Sequence, residues 1–352
     1  SCRNVVEEWT LYAEQVESTV SMTGVDVWTR VAWLKASGIE GGDNGFRIRK
    51  SGESVWRNVE NVTSDGGSFS AMTGGLEPLT EYECVAFSGD EVTDVSKFTT
   101  DAEAQLPNSG FETFSKAESS KYFSFYDPAS SDPALQTKWW GSGNKGSTTV
   151  GSSFAITKPD DTEKVEGEYS LKMASQYVII KFAAGNVFSG EYAKTLGTSG
   201  GVIHLGRPFT LRPRKLFVWL KYKSGIIQKK TLDGYPEDDV VKVGDNDRGI
   251  VWVALGDWDF KEYGGTADCP VEVNTTKKET FFDSKGPNVI AYGRFVTDHD
   301  MEWTKVEIPL EYVSTSRRPT HIIVSCAASM LGDYFTGSPD SILWVDDFKL
   351  EY

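Results

Sequence analysis

Sugar rings present apolar C–H faces edged with hydroxyls. A protein that holds them needs flat aromatic rings beside Asp, Asn, His, Lys or Arg side chains that can pair those hydroxyls. The sequence offers this combination several times. Trp139 and Trp140 run into Gly-Ser-Gly-Asn and set two indoles at a loop edge. Trp219 and Lys221 alternate on one strand face, Tyr292 and Arg294 on another. Trp252 falls opposite Val251 and Val253 if those two point into a core. Asn186 and His204 border a Gly-rich connection, and Asp333-Tyr334 stands in a stretch with no core pattern. Asp257 opens an acidic run that ends at Glu262. For each residue alone a structural role competes. As a group they predict a ligand site that contains some of them.

Other chemistries find little support. With three histidines, His204, His299 and His321, a Ser-His-Asp triad stays open, but no G-x-S-x-G elbow accompanies it. Neither H-E-x-x-H nor an EF-hand loop occurs. The four cysteines, Cys2, Cys84, Cys269 and Cys326, lack metal-type spacing. Cys84 and Cys326 lie in strand-like runs and read as buried thiols. Catalytic residues and a bound metal are therefore left unassigned. The formal charge of −15 argues against a nucleic-acid partner, because phosphate backbones are held by basic stripes. No stretch approaches ~18 uninterrupted apolar residues, the length a membrane-spanning helix needs.

The elements that must position these residues are strands. Aromatics make up 12% of the chain, glycines number 34, and short runs alternate, which together give an all-β reading. In Lys215–Lys223, Leu216, Val218, Leu220 and Tyr222 share one face; Phe217, Trp219, Lys221 and Lys223 share the other. The first unit, residues 1–103, shows strands at 20–24, 25–35, 46–50, 55–59 and 95–99, with Trp28, Val31 and Trp33 at or near a core. Leu76, Pro78 and Tyr82 have the spacing of a tyrosine corner, which predicts an immunoglobulin-like or fibronectin type III-like sandwich acting as a spacer. Residues 5–14 are a short helix or an extended arm. A polar linker, Asp101 to Leu106, precedes the second unit, 106–352. Its strands are expected at 107–114, 170–173, 177–182, 214–223, 250–255, 288–296, 303–309, 321–325 and 342–352, with the first and last side by side. Four long connections, 115–153, 183–206, 225–248 and 256–285, are expected to build the site.

The second unit resembles the putative carbohydrate metabolism domain family of Bacteroidetes surface proteins. The matching pieces are FAAGN (182–186), GRPFTLRPRKL (206–216), AYGR (291–294), GDYFTG (332–337) and WVDDFKLEY (344–352). The resemblance implies a jelly-roll β-sandwich, a secreted or surface-anchored location and a role in glycan use. In such an exported protein Cys2 is a candidate lipid anchor; an ordinary terminal residue and a Cys2–Cys84 disulfide are the alternatives. Related jelly rolls often hold a structural Ca²⁺, for which Glu112, Asp346 and Asp347 are the oxygen ligands at hand. The competing reading has these carboxylates accepting backbone hydrogen bonds. Jelly-roll glycosidases of the laminarinase type carry Glu-x-Asp-x-x-Glu on a strand, and Asp257-Trp258-Asp259-Phe260-Lys261-Glu262 is similar. Here Asp replaces the first Glu, one methylene too short for the paired-carboxylate geometry. The expectation is an extracytoplasmic glycan-binding protein whose partner is an oligo- or polysaccharide, held in a loop-walled aromatic pocket on the concave face. A glycoside hydrolase or lyase on the same scaffold, and a structural or adhesive surface subunit, are the rivals.

Overall fold

Strict alternation in Lys215–Lys223 buries Leu216, Val218, Leu220 and Tyr222 to 2% exposure or less and leaves Phe217, Trp219 and Lys221 half-buried on the opposite face. The same two-residue period organises the rest of the molecule. The computed structural model describes residues 19–228 and 241–352. Cys2 and the predicted helix or arm at 5–14 lie outside the described residues. The chain divides into two compact units, Ser1–Asp101 and Ala102–Tyr352, and it is all-β throughout.

In the first unit the strands are β1 (Ser21–Val27), β2 (Ala32–Ser37), β3 (Asn44–Lys50), β4 (Arg57–Asn58), β5 (Thr63–Asp65), β6 (Ser68–Thr73), β7 (Glu81–Ser88), β8 (Glu91–Val92) and β9 (Ser96–Thr99). One sheet has the order β1-β2-β6-β5; the other runs β4-β3-β7, with β8 and β9 both on β7. Leu34, Phe46, Ile48, Phe69, Leu76 and Tyr82 fill the space between them. The Tyr82 hydroxyl accepts the Glu77 N–H at 3.0 Å, the bond back to the chain that a tyrosine corner makes. The expected single strand 25–35 is instead broken at Trp28–Val31, where the Trp28 N–H donates to the Val31 carbonyl at 2.9 Å. Cys84 is a buried free thiol.

The second unit contains β10 (Trp140–Gly141), β11 (Thr157–Asp160), β12 (Ser170–Ala174), β13 (Gln176–Val178), β14 (Lys181–Ala183), β15 (Asn186–Leu196), β16 (Gly200–Leu205), β17 (Arg207–Pro208) and β18 (Lys215–Lys223). It continues with β19 (Gly249–Gly256), β20 (Val271–Asn274), β21 (Val289–Thr297), β22 (Met301–Pro309), β23 (Glu311–Tyr312), β24 (His321–Ala327) and β25 (Ile342–Glu351). The short helices are α1 (Asn144–Ser147) and α2 (Phe260–Tyr263). The smaller sheet has the order β11-β12-β25-β18-β22; the larger runs β20-β16-β15-β24-β19-β21-β23. Eight strands face each other across the core: β12, β15, β18, β19, β21, β22, β24 and β25. Numbered one to eight in that order, they stand 1-8-3-6 in one sheet and 2-7-4-5 in the other, which is the order of a jelly roll. Leu216, Val218, Leu220, Leu343 and Val345 on one side meet Val251, Val253, Leu255, Ile322 and Val324 on the other.

Three expectations are corrected. The opening stretch 107–114 is a turn, not a strand. Asn108 and Phe111 have φ of +49° and +57°, and the Asn108 amide holds both the N–H and the carbonyl of Thr113. The last strand pairs with β12, and the Gln105 side chain takes the place of a ladder partner on Leu350, accepting its N–H at 2.7 Å and donating to its carbonyl at 2.8 Å. The stretch 183–206 is not a loop. It holds β15 and β16, paired antiparallel. Gly190, with φ +148°, sits where a Cβ would be 2.2 Å from the His204 carbonyl oxygen, so glycine marks a close strand crossing here and not a turn. The run 177–182 is a hairpin, β13–β14, and its turn places Ile179 at φ +61°.

Candidate functional site

The larger sheet has an outer face as well as a core face. On β19, Val251, Val253 and Leu255 are buried against the smaller sheet, so Trp252 and Ala254 point outward. Trp252 pairs with Arg294 on β21 and with Ser325 on β24, and Tyr292 lies opposite Ala254. The excursion between β19 and β21 folds back over this face. Trp258 packs there at 5% exposure with Phe282, Val271 and Val273. The Phe282 ring stacks on Trp252 at 4.5 Å and 22°, and lies 6.3 Å from Tyr292 at 28°. Its neighbour Phe281 meets Tyr334 edge-on at 4.9 Å. Tyr292, Trp252 and Phe282 thus form one cluster of rings, and Phe281 and Tyr334 form a separate pair.

Tyr334 belongs to a turn that carries Asp333 and Phe335, the latter left-handed at φ +53°. Both ends of this stretch are tied to Asp247. One carboxylate oxygen accepts the Ser329 hydroxyl at 2.6 Å, the Ser341 hydroxyl at 2.8 Å and the Ser338 N–H at 2.8 Å. The other accepts the Arg248 N–H. Asp247 is 3% exposed, and its burial raises its pKa against the pull of these donors. Asp333 contrasts with it. It is exposed at the surface of its turn, and partial desolvation by the surrounding protein moves its pKa upward, to about 6. No side chain among the described residues hydrogen-bonds or ion-pairs with the Asp333 carboxyl. A surface carboxyl of this kind can hydrogen-bond a hydroxyl group.

Of the sequence-predicted residues, the tertiary structure brings together Trp252, Tyr292 and Arg294, while Asp333 and Tyr334 share a turn whose Tyr334 ring meets Phe281 of the covering loop. The others are dispersed. Trp140 is 1% exposed in the core, stacked on Phe348 at 5.6 Å, with its indole N–H on the Pro107 carbonyl. Trp139 packs against the same core. The Trp140 indole lies among hydrocarbon, so the loop-edge expectation fails for it, while Trp139 stays half-buried. The crevice lined by Trp140, Tyr122, Lys145 and Tyr192 is too narrow for a sugar ring. Asn186 accepts the Gly143 N–H at 2.7 Å and fastens the α1 turn. His204 lies on the β15–β16–β20 extension between Glu191, 3.7 Å away, and Glu272, 3.4 Å away.

Trp219 and Lys221 sit on the outer face of the smaller sheet. A row of Lys172, Trp344 and Lys221 crosses β12, β25 and β18 there, with the two ammonium groups 5.1 and 5.8 Å from the indole centre. Lys221 is bound to Glu163 and Glu302 at 3.1 and 3.2 Å, and the Trp303 and Trp344 indoles donate to Glu163 and Asp160. A loop folded over the sheet engages these groups. Asp257 binds Arg317 at 2.8 and 2.9 Å and Asn288 at 3.0 Å. Asp259 caps α2, which contains Glu262. The laminarinase-like run is therefore a helix start braced by an ion pair.

The acids considered for Ca²⁺ are also engaged. Glu112 accepts the N–H groups of Glu168 and Tyr169, and one oxygen of the fully buried Asp346 accepts those of Val165 and Glu166. The other Asp346 oxygen has no partner, but no group of three or more His, Cys, Asp or Glu among the described residues is placed to hold a metal. Calcium takes roughly six to eight oxygen ligands, and this donor set does not fit it.

Sequence reasoning did not single out Phe281, Phe282 or Asp247. The Phe-Phe doublet within the polar stretch 275–286 was the available signal.

No helix of the described residues is long and apolar enough to cross a membrane. No curated protein matches the chain. A solved structure of "a putative glycoside hydrolase" from Bacteroides thetaiotaomicron is similar at 15% identity and a TM-score of 0.52, covering 98% of this chain and 99% of that one. Another, of "a putative glycoside hydrolase" from Bacteroides vulgatus, is 21% identical with a TM-score of 0.49, covering 69% of this chain and 96% of that one. The first likeness is one of fold. Residues 110–351 match the model of the family described as "Putative carbohydrate metabolism domain". With most of the chain inside that match, this protein belongs to the putative carbohydrate metabolism domain family.

Proposed function

We propose that the second unit binds a saccharide on the outer face of its larger sheet, against Phe282, with Trp252 and Tyr292 packed on that ring. The observation that supports this reading is the cluster of half-buried Trp252, Phe282 and Tyr292 rings on the outer sheet face, with the Phe281–Tyr334 pair formed by the next residue of the same loop. Stacked rings take the apolar faces of sugars, while Asp333 and Arg294 pair hydroxyls. The first unit is an immunoglobulin-like spacer in this proposal. Its β1-β2-β6-β5 sheet facing β4-β3-β7-β9 supports that assignment. The protein works outside the cytoplasm, at the cell surface or secreted, where such a glycan is met. A glycan array with the full chain, followed by Phe282→Ala on any binder, tests the proposal. Unaltered affinity after removal of that ring would overturn it.

A second reading is hydrolysis, favoured by the near-neutral carboxyl of Asp333, the state a general acid needs. It requires a second carboxylate, ~5–5.5 Å away for retention or ~6.5–9.5 Å away for inversion. Release of reducing ends from a bound glycan, lost in Asp333→Asn, would establish it. Binding without release would leave the binding proposal alone.

A further inference from the structure

The excursion that carries Phe282 leaves β19 after Gly256 and enters β21 at Val289. Its two arms are joined at the neck. The Asp257 N–H donates to the Asn288 carbonyl at 3.1 Å. The Asn288 side-chain amide donates back to the Asp257 carboxylate at 3.0 Å and to its backbone carbonyl at 3.2 Å. Arg317 comes from outside the excursion, on the link between β23 and β24. Its Nη2 donates to both Asp257 carboxylate oxygens, at 2.8 and 2.9 Å, and to the Pro287 carbonyl at 3.1 Å. One nitrogen thus grips the outgoing arm and the returning arm together. The Ser314 hydroxyl accepts the Arg317 N–H at 3.1 Å and holds that backbone in its turn.

Two connections run from this joint to the Phe282 ring. Along the chain, the Asp283 carbonyl accepts the Gly286 N–H at 3.1 Å and the Gly286 carbonyl accepts the Val289 N–H at 3.0 Å, so consecutive turns fill the stretch between Phe282 and β21. Across space, the Tyr263 hydroxyl donates to the Asn288 side-chain carbonyl at 2.7 Å. The Tyr263 ring packs on the same apolar cluster as Phe282, Trp252 and Tyr292. Burial, and after it the charges of Glu262, Asp257 and Asp283, raises the Tyr263 pKa, which keeps the hydroxyl a donor. We infer that Asp257, Arg317, Asn288 and Tyr263 are positioning residues for the saccharide site, holding the Phe282 ring where a sugar meets it. The inference rests on the saccharide-binding proposal above. A loop ring that must be ordered on binding costs affinity, whereas one already held in place does not. Arg317 and Asp257 are 36% and 32% exposed, so exchanging either leaves the core packing untouched.

The test titrates the full chain with soluble uncharged polysaccharides (a mixed-linkage β-glucan, a xylan, a galactomannan and an arabinan) and carries the tightest binder into the variants. Arg317→Gln should weaken that binding about 3-fold or more, and Asp257→Asn about as much. Arg317→Lys should restore part of the loss, because an ammonium still meets the Asp257 carboxylate as a point charge. The near-UV circular dichroism of the Trp252–Phe282 pair should change in Arg317→Gln while the far-UV spectrum is kept. The deciding measurement is a cycle with Phe282→Ala: once that ring is gone, Arg317→Gln should cost no further affinity. Equal losses in the two backgrounds, or full affinity in both Arg317→Gln and Asp257→Asn, would overturn the inference and leave saccharide binding standing. A polysaccharide that binds Phe282→Ala as tightly as the parent, or failure of every polysaccharide and array glycan to bind, would overturn the binding proposal itself.

Discussion

The Phe282 ring stacks on the Trp252 indole at 4.5 Å, and it comes from a loop whereas Trp252 comes from a strand. A strand residue thus holds the ring of a loop residue in place on the outer face of the sheet. Phe282→Ala should weaken glycan binding about 5–10-fold, the effect of one aromatic pair worth ~1 kcal/mol. Trp252→Ala should do the same by releasing Phe282. Titration calorimetry reads both, with circular dichroism confirming that the sheets persist.

Trp219 lies on the other sheet, away from this cluster of rings. Trp219→Ala should leave glycan affinity unchanged. Lys221→Ala should cost no more than about 1 kcal/mol of stability, since its ion pairs with Glu163 and Glu302 remain water-accessible. A loss of binding in either variant would relocate the site to the smaller sheet.

Asp247 holds both ends of the stretch carrying Asp333. Asp247→Ala would leave the Ser338 N–H buried without its acceptor and take one acceptor from the Ser329 and Ser341 hydroxyls, which keep Ser175 and the Gly225 N–H as partners. The expected loss is about 1–3 kcal/mol, with Asp247→Asn losing less. Chemical denaturation followed by tryptophan fluorescence measures it, and a small loss for the alanine variant would contradict this account.

The Asp333 carboxyl is raised to about 6 by partial desolvation, above the ~3.9 of an unfolded chain. A group whose folded pKa is raised contributes its stability below the unfolded value and loses it as pH rises through the folded one. Stability should fall between pH ~4 and ~6, and Asp333→Asn should flatten that slope and unfold later than the parent at pH ~7.5. Such a residue is retained against stability, as functional carboxyls often are.

Asp160 behaves in the opposite sense. Burial would raise its pKa, but hydrogen bonds from Thr162 and the Trp344 indole outweigh it and hold the carboxyl down to about 2. Its contribution is present above ~3.9 and is lost as pH falls through ~2. Asp160→Asn should lower the denaturation midpoint at neutral pH and remove this part of the acid transition.

How much was legible follows the kind of signal each residue carries. The strand β18 was readable because its apolar residues recur every second position, and β19 and β24 because they are short runs rich in β-branched apolar residues. β15 was not, because Gly190 interrupts its pattern for a crossing with β16 that no local sequence shows. The core side of Trp140 was hidden for a similar reason. An indole beside glycines looks loop-like until Phe111 and Phe348, distant in the chain, close around it.

The sequence by itself determined the all-β class, the jelly-roll resemblance, the corner at Tyr82 and the residues with sugar-binding chemistry. Alternation, turn residues and motif order are local properties, written in neighbouring positions. Only the tertiary structure decided which of those residues share a site. Trp252 and Trp219 occupy the same kind of strand position, yet one is roofed by Phe282 and the other lies beside a lysine locked by Glu163. Partners more than fifty positions away in one case, and thirty in the other, made that choice, and their approach depends on how the two sheets stack.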